Sequence, residues 1–163
     1  MSIVNEAHLA WHETLELHEL VAFQSVGLVK LKQTYPHITN NDLKTLYNEA
    51  IATVEENLQE LIEFFPNAPR GEKSPSLAAE VMTGFYAGDL LGFAKTSVRN
   101  YAIAITETAT PMVREVLQNQ LNNAIELHAK TFHFMYERSD YPAYNLERLL
   151  QTDLENAYYA LSM

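Results

Sequence analysis

The sequence predicts an all-α protein, an antiparallel four-helix bundle with a short fifth helix at the C-terminus. Three observations predict it. Apolar residues make up 47% of the 163 positions and recur at helical spacing in successive stretches. Only five glycines and six prolines are present, and the prolines stand between the periodic stretches. The run from Ser76 to Glu107, SLAAEVMTGFYAGDLLGFAKTSVRNYAIAITE, is apolar on nearly every side. A helix of that kind in a soluble chain must be enclosed by other helices. The length suits one domain, spanning residues 1–163, with a substantial core.

The first helix is expected from about Asn5 to about Lys32. Val4, Ala7, Trp11, Leu15, Ala22, Val26 and Val29 share a broad face, extended by Leu17, Val21 and Leu28. Pro36 and the cluster Thr39, Asn40, Asn41 end it and cap the next helix. The second helix runs from about Asp42 to about Phe65 on a stripe of Leu43, Tyr47, Ala50, Val54, Leu58, Leu61 and Phe65. The stretch Pro66 to Ser76 is loop-like, and Ser74 before Pro75 opens the third helix, which extends over about 77–107. Thr110 and Pro111 start a fourth helix, about 111–137, with Val113, Val116, Leu117, Leu121, Ala124, Leu127, Phe134 and Met135 inward. A shorter fifth, about 145–160, carries Leu146, Leu149, Leu150, Leu154, Ala157 and Leu161.

Loop lengths constrain the connections. The turn between the third and fourth helices is so short that the two must be antiparallel neighbours. Pro66 to Ser76, fully extended, reaches roughly 36 Å, which matches the roughly 36 Å length of a 24-residue helix. The loop can therefore cross the whole bundle, as ferritin-like connectivity requires. A simple up-down-up-down bundle remains allowed.

A carboxylate-bridged di-metal bundle needs Glu-x-x-His on two helices and an acid on each of the others. None of the histidines, His8, His12, His18, His37, His128 and His133, has a Glu three residues before it. No phosphate loop or nucleophile elbow occurs either, so no catalytic residue is nominated, no cofactor is implied, and the chain is not expected to be an enzyme.

The core stripes do hold polar residues. His18 falls within the first helix's apolar face, Asn57 at the edge of the second's, and Gln120 and His128 within the fourth's. Two readings fit. His18 and His128 form a small polar or metal site across the bundle, or they belong to a hydrogen-bonded network that fixes helix register. His8 and His12, one turn apart on the expected first helix, are a weaker metal-ligand pair. Gly84, Gly88 and Gly92, at four-residue spacing beside Asp89, form a small-residue groove for close helix packing, either within the bundle or at a dimer seam. Tyr136, Tyr141, Tyr144, Tyr158 and Tyr159 cluster towards the C-terminus, as amphipathic edge residues or as interface and crosslinking groups.

The formal net charge is −10, with no basic run. That excludes a basic nucleic-acid patch and disfavours anionic membranes. No cysteine is present, so disulfides and thiolate metal sites are excluded. No membrane span is expected, since Glu80, Asp89, Lys95 and Arg99 punctuate the most apolar region. The N-terminus lacks a basic-then-apolar signal segment, so the expected site of synthesis is the cytosol.

The run Tyr101 to Leu146, YAIAITETATPMVREVLQNQLNNAIELHAKTFHFMYERSDYPAYNL, resembles the Coat F family of bacterial spore coat proteins. The positions that carry the resemblance are Tyr101, Ala104, Ile105, Glu107, Pro111 and Arg114, then Phe132, Phe134, Met135, Tyr136, Tyr141 and Pro142. LHELVAF, Leu17 to Phe23, is similar to that family's first helix. Ser139 and Asp140 stand where the family often has a Gly-Trp pair. The resemblance implies a ferritin-like frame, a structural role without established catalytic residues, a spore-coat destination, and other coat proteins or a second copy as partners.

Overall fold

The computed structural model describes residues 8–69 and 81–163. Among these residues the chain is all-helical, with five α-helices and two single 3₁₀ turns. The α-helices are α1 (Trp11–Thr34), α2 (Asn41–Ile62), α3 (Val81–Thr106), α4 (Pro111–Glu137) and α5 (Leu146–Ser162). The expected helix start at Ser74 and Pro75, Glu80, and most of the Pro66–Ser76 connection lie outside the described residues, as do Val4 and Ala7.

The local chemistry explains most boundaries. Glu13 reaches back to accept the Ala10 N–H at 2.7 Å, opening α1. Pro36 sits in the 3₁₀ turn Tyr35–His37 that ends it. Asn40 Oδ1 accepts the Leu43 N–H at 2.9 Å, and Asn145 Oδ1 accepts that of Arg148 at 3.0 Å, so α2 and α5 are capped by their own preceding asparagines. Pro111 opens α4 as expected, but Thr110 occupies the cap position without a side-chain capping bond. The far end of α4 closes in a Schellman motif: the Asp140 N–H donates to Met135 O at 2.9 Å, and the Ser139 N–H to Tyr136 O at 3.1 Å. Ser139 itself lies in the left-handed region at φ 63°.

The chain divides into two compact units. The first holds α1, α2 and α5. The Leu9 N–H donates to Asn67 O at 2.9 Å, tying the start of α1 to the end of α2, so these two helices run antiparallel. His18 and Lys32 of α1 reach Asp153 and Ala160 of α5 respectively, so α5 ascends in the same direction as α1. The core lies along α1, where Val21 and Leu28 are fully buried, against Leu58 of α2 and Ala157 and Ala160 of α5 among others.

This placement turns the buried face of α1 relative to the sequence expectation. Trp11 and Leu15 are exposed, whereas Thr14, His18 and Ser25 are buried with Leu17, Val21, Leu28 and Val29. A helix flanked on two sides buries an arc centred between its neighbours, and that arc takes in polar positions beside the apolar ones. Asn57 and Gln120 are exposed.

The second unit is the α3–α4 hairpin. Only Glu107–Thr110 joins the helices. Their far ends meet again: a Cβ built on Gly84, near the start of α3, would lie 3.4 Å from the carboxylate of Asp140, just beyond α4. Asp140 is held there by Arg138 Nε at 2.9 Å. Phe132 stacks on Tyr136 at 6.1 Å and meets Tyr141 edge-on at 5.7 Å, closing the same end with aromatic contacts. Of the inward residues expected in α4, Ala124 and Met135 are buried, with Thr131 beside them, while Val113, Val116 and Phe134 are about half exposed.

Candidate functional site: a buried His–Asp pair and an open hairpin face

Among the described residues of the first unit, two ionisable side chains form a fully enclosed polar contact. His18 Nδ1 lies 2.7 Å from Asp153 Oδ2, and the residues are 4% and 3% exposed. At neutral pH the Nδ1–H donates to the carboxylate. Burial pushes the Asp153 carboxyl up to about 6; the bond to His18 and the imidazole charge lower it in part, and Glu19 raises it. Asp153 falls on the buried stripe of α5, with Leu149, Leu150, Ala157 and Ala160. A carboxylate there is costly unless paired, and His18 is the pair.

A second polar tie stands further along α1. Lys32 Nζ donates to Ala160 O at 2.8 Å and lies 2.7 Å from Glu55 of α2. A cation at the last carbonyls of α5 is favoured by the helix dipole. Lys32 thus links three helices at one level, and His18 links two at another. Between them, Ser25 Oγ is buried without a hydrogen-bond partner.

The residues singled out from the sequence fall as follows. His18 is buried in α1 and engaged by Asp153. His128 is half-buried on α4, in the other unit. His8 precedes α1, which begins at Trp11, so His8 and His12 do not share a helical face; both are exposed. Among the described residues no group of three or more His, Asp or Glu is placed to hold a metal ion. Gly84 abuts Asp140, Gly88 is half-buried, and a Cβ on Gly92 would meet nothing within 4 Å. Asp153 was missed. The available signal was a lone acid at the i+4 position between Leu149 and Ala157, on an otherwise apolar stripe.

The hairpin contributes a different feature. Tyr86, Leu90 and Phe93 of α3 and Val113, Val116 and Phe134 of α4 are all exposed. Isolated exposed apolar side chains are ordinary, whereas a grouped set marks an interaction surface. No described helix is long and apolar enough to cross a membrane.

The described residues define an all-helical protein with a self-closed aromatic hairpin end and a buried ionisable pair. Comparison with known proteins narrows the class. Residues 84–144 match the Coat F domain. The chain is 39% identical over 77 residues to the spore coat protein F-like protein YraD of Bacillus subtilis (strain 168), covering 47% of this chain and 78% of that protein. It is also 38% identical over 50 residues to the spore coat protein F-like protein YgzC of the same organism, covering 31% of this chain and 56% of that one. The chain belongs to the Coat F family. No solved structure matches it. The matched segment nearly coincides with the α3–α4 unit, extending a few residues into the turn before α5.

Proposed function

We propose that this protein is a non-catalytic structural component of the bacterial spore coat. In this reading it is a ferritin-like helical frame, made in the cytoplasm, that assembles with other coat proteins or with a second copy of itself. The observation that carries it is the overlap between the Coat F match at residues 84–144 and the hairpin that presents grouped apolar side chains to solvent. An assembly protein needs such a face; a catalyst needs convergent polar groups around a pocket. His18 and Asp153 are enclosed and pair with each other, which suits the network reading better than a ligand site shared with His128.

The test is localisation. The full chain carrying a fluorescent tag, expressed from its own promoter in a spore-forming host, should appear at the developing spore surface and be extracted with the coat fraction. A chain present in growing cells and absent from purified spores would sink the coat role.

A further inference from the structure

We propose that the groove between α1 and α2 binds a free, single-chain aliphatic carboxylate, its anionic head beside Lys30 and its alkyl tail running past Gly27 towards Phe23. The inference does not rest on the coat role. It lies wholly within the first unit, because every residue that lines the groove belongs to α1 or α2.

The groove has a volume of about 330 Å³ and is polarised along its length. Since α1 and α2 run antiparallel, Phe23 stands at the Val54 end and Thr34 at the Tyr47 end. From Phe23 to Thr34 the helix advances roughly 16 Å, so the space is a channel that suits an elongated ligand. The groups able to donate to an anion, the Lys30 ammonium and the Thr34 and Tyr47 hydroxyls, gather at one end. The other end is apolar apart from the uncharged Gln24 beside Phe23. Between them, a Cβ on Gly27 would meet nothing within 4 Å. Glycine inside a helix costs about 1 kcal/mol relative to alanine, and at Gly27 that cost leaves the middle of the channel open.

Charge selects the sign of the head group. The chain carries −10 overall, yet the groove is lined by a lysine and no acid. From Leu20 to Thr34 α1 holds no Asp or Glu. On α2, at about 100° per residue, Asp42 and Glu49 fall on the far side of the helix from Tyr47. Glu55, next to Val54, is engaged by Lys32 at 2.7 Å. Just past Thr34, the Lys44 ammonium lies 5.1 Å from the centre of the Tyr35 ring and adds a second cation at the polar end. On this acidic chain an anion therefore meets a locally favourable field only at that end.

Size selects a small ligand over a protein. Pockets for small molecules begin at roughly 300 Å³ and are mostly apolar, with a few polar groups that fix orientation. A stable protein interface takes about 800 Å² from each partner. The four apolar side chains here, Phe23, Leu31, Tyr47 and Val54, three of them already half-buried, offer well under that.

The test is calorimetric titration of the full chain at neutral pH with decanoate below its micellar concentration, and with decylammonium as the probe of opposite charge. Decanoate should bind saturably at one site per chain. Adsorption to a surface of charge −10 would favour the decylammonium cation instead. Gly27→Leu, which fills the channel, should abolish decanoate binding with unchanged helical circular dichroism. Lys30→Gln, at an exposed position, should weaken it about tenfold.

No saturable binding of decanoate overturns the proposal, whether the channel is too shallow or another part of the chain covers it. Binding that survives Gly27→Leu overturns it too, as does decylammonium binding as tightly as decanoate. Affinity unchanged in Lys30→Gln removes the head-group site and with it the proposal. If Gly27→Leu loses its helical signal, Lys30→Gln and the decylammonium comparison decide.

Discussion

At the scale of single residues, His18 and Asp153 set the most specific expectation. Asp153 has its folded-state carboxyl raised to about 6 from an ordinary 3.8, chiefly by burial. The sign follows from linkage: between those values the folded chain holds a proton that the unfolded chain has released. The contribution is therefore fully present below about pH 4 and is lost as pH rises through about 6. Its size is on the order of 2–3 kcal/mol. Asp153→Asn keeps an acceptor for the His18 Nδ1–H and removes the titration. Urea unfolding from pH 4 to 7 should show the wild type losing that amount relative to Asp153→Asn, with no further loss from this carboxyl above pH 7. A difference that stays flat or rises would mean that the imidazole charge outweighs burial at this site. His18 was legible in the sequence because a histidine on an apolar helical face needs a partner. Its partner was not, because residues 135 positions apart share no local pattern, and only the packing of α5 on α1 brings them together.

Element by element, the chain shows which features are local. Caps and breakers act over three or four residues, so Pro36, Asn40, Pro111 and Asn145 placed the helix ends to within a few residues. The buried face of each helix depends on neighbours distant in sequence. That is why Thr14 and Ser25 are buried while Trp11, Leu15, Val113 and Val116 are exposed. The two-unit division was likewise not legible, since the apolar stripes of α3 and α4 look the same whether or not another helix covers them. The departure from the family pattern after Arg138 acquires a physical meaning here. Ser139 occupies the left-handed position of the Schellman motif at φ 63°, where glycine carries no Cβ penalty. Ser139→Gly should raise stability by about 1 kcal/mol, or roughly 2–4 °C in Tm for a chain of this size. Thermal melts followed at 222 nm would check it. A lower Tm would mean that the serine hydroxyl contributes more than the backbone strain costs.

At the scale of the whole molecule, charge is the dominant long-range term. The chain carries 21 acids against 11 bases, and the excess sits almost wholly outside the hairpin. Favourable exposed pairs do not offset it: Lys130 and Glu126 are 3.7 Å apart with side chains 78% and 70% exposed, a geometry of little worth in water. The Lys32–Glu55 contact is partly enclosed and survives screening better. Repulsion among like charges acts over the screening length, which falls from about 20 Å at 20 mM salt to below 6 Å at 300 mM. Adding sodium chloride should therefore stabilise the protein, raising Tm by a few degrees across that range. Chloride is the right anion, because sulfate would strengthen apolar burial as well and confuse the two effects. A melting temperature that falls with sodium chloride would assign net stabilisation to the surface ion pairs.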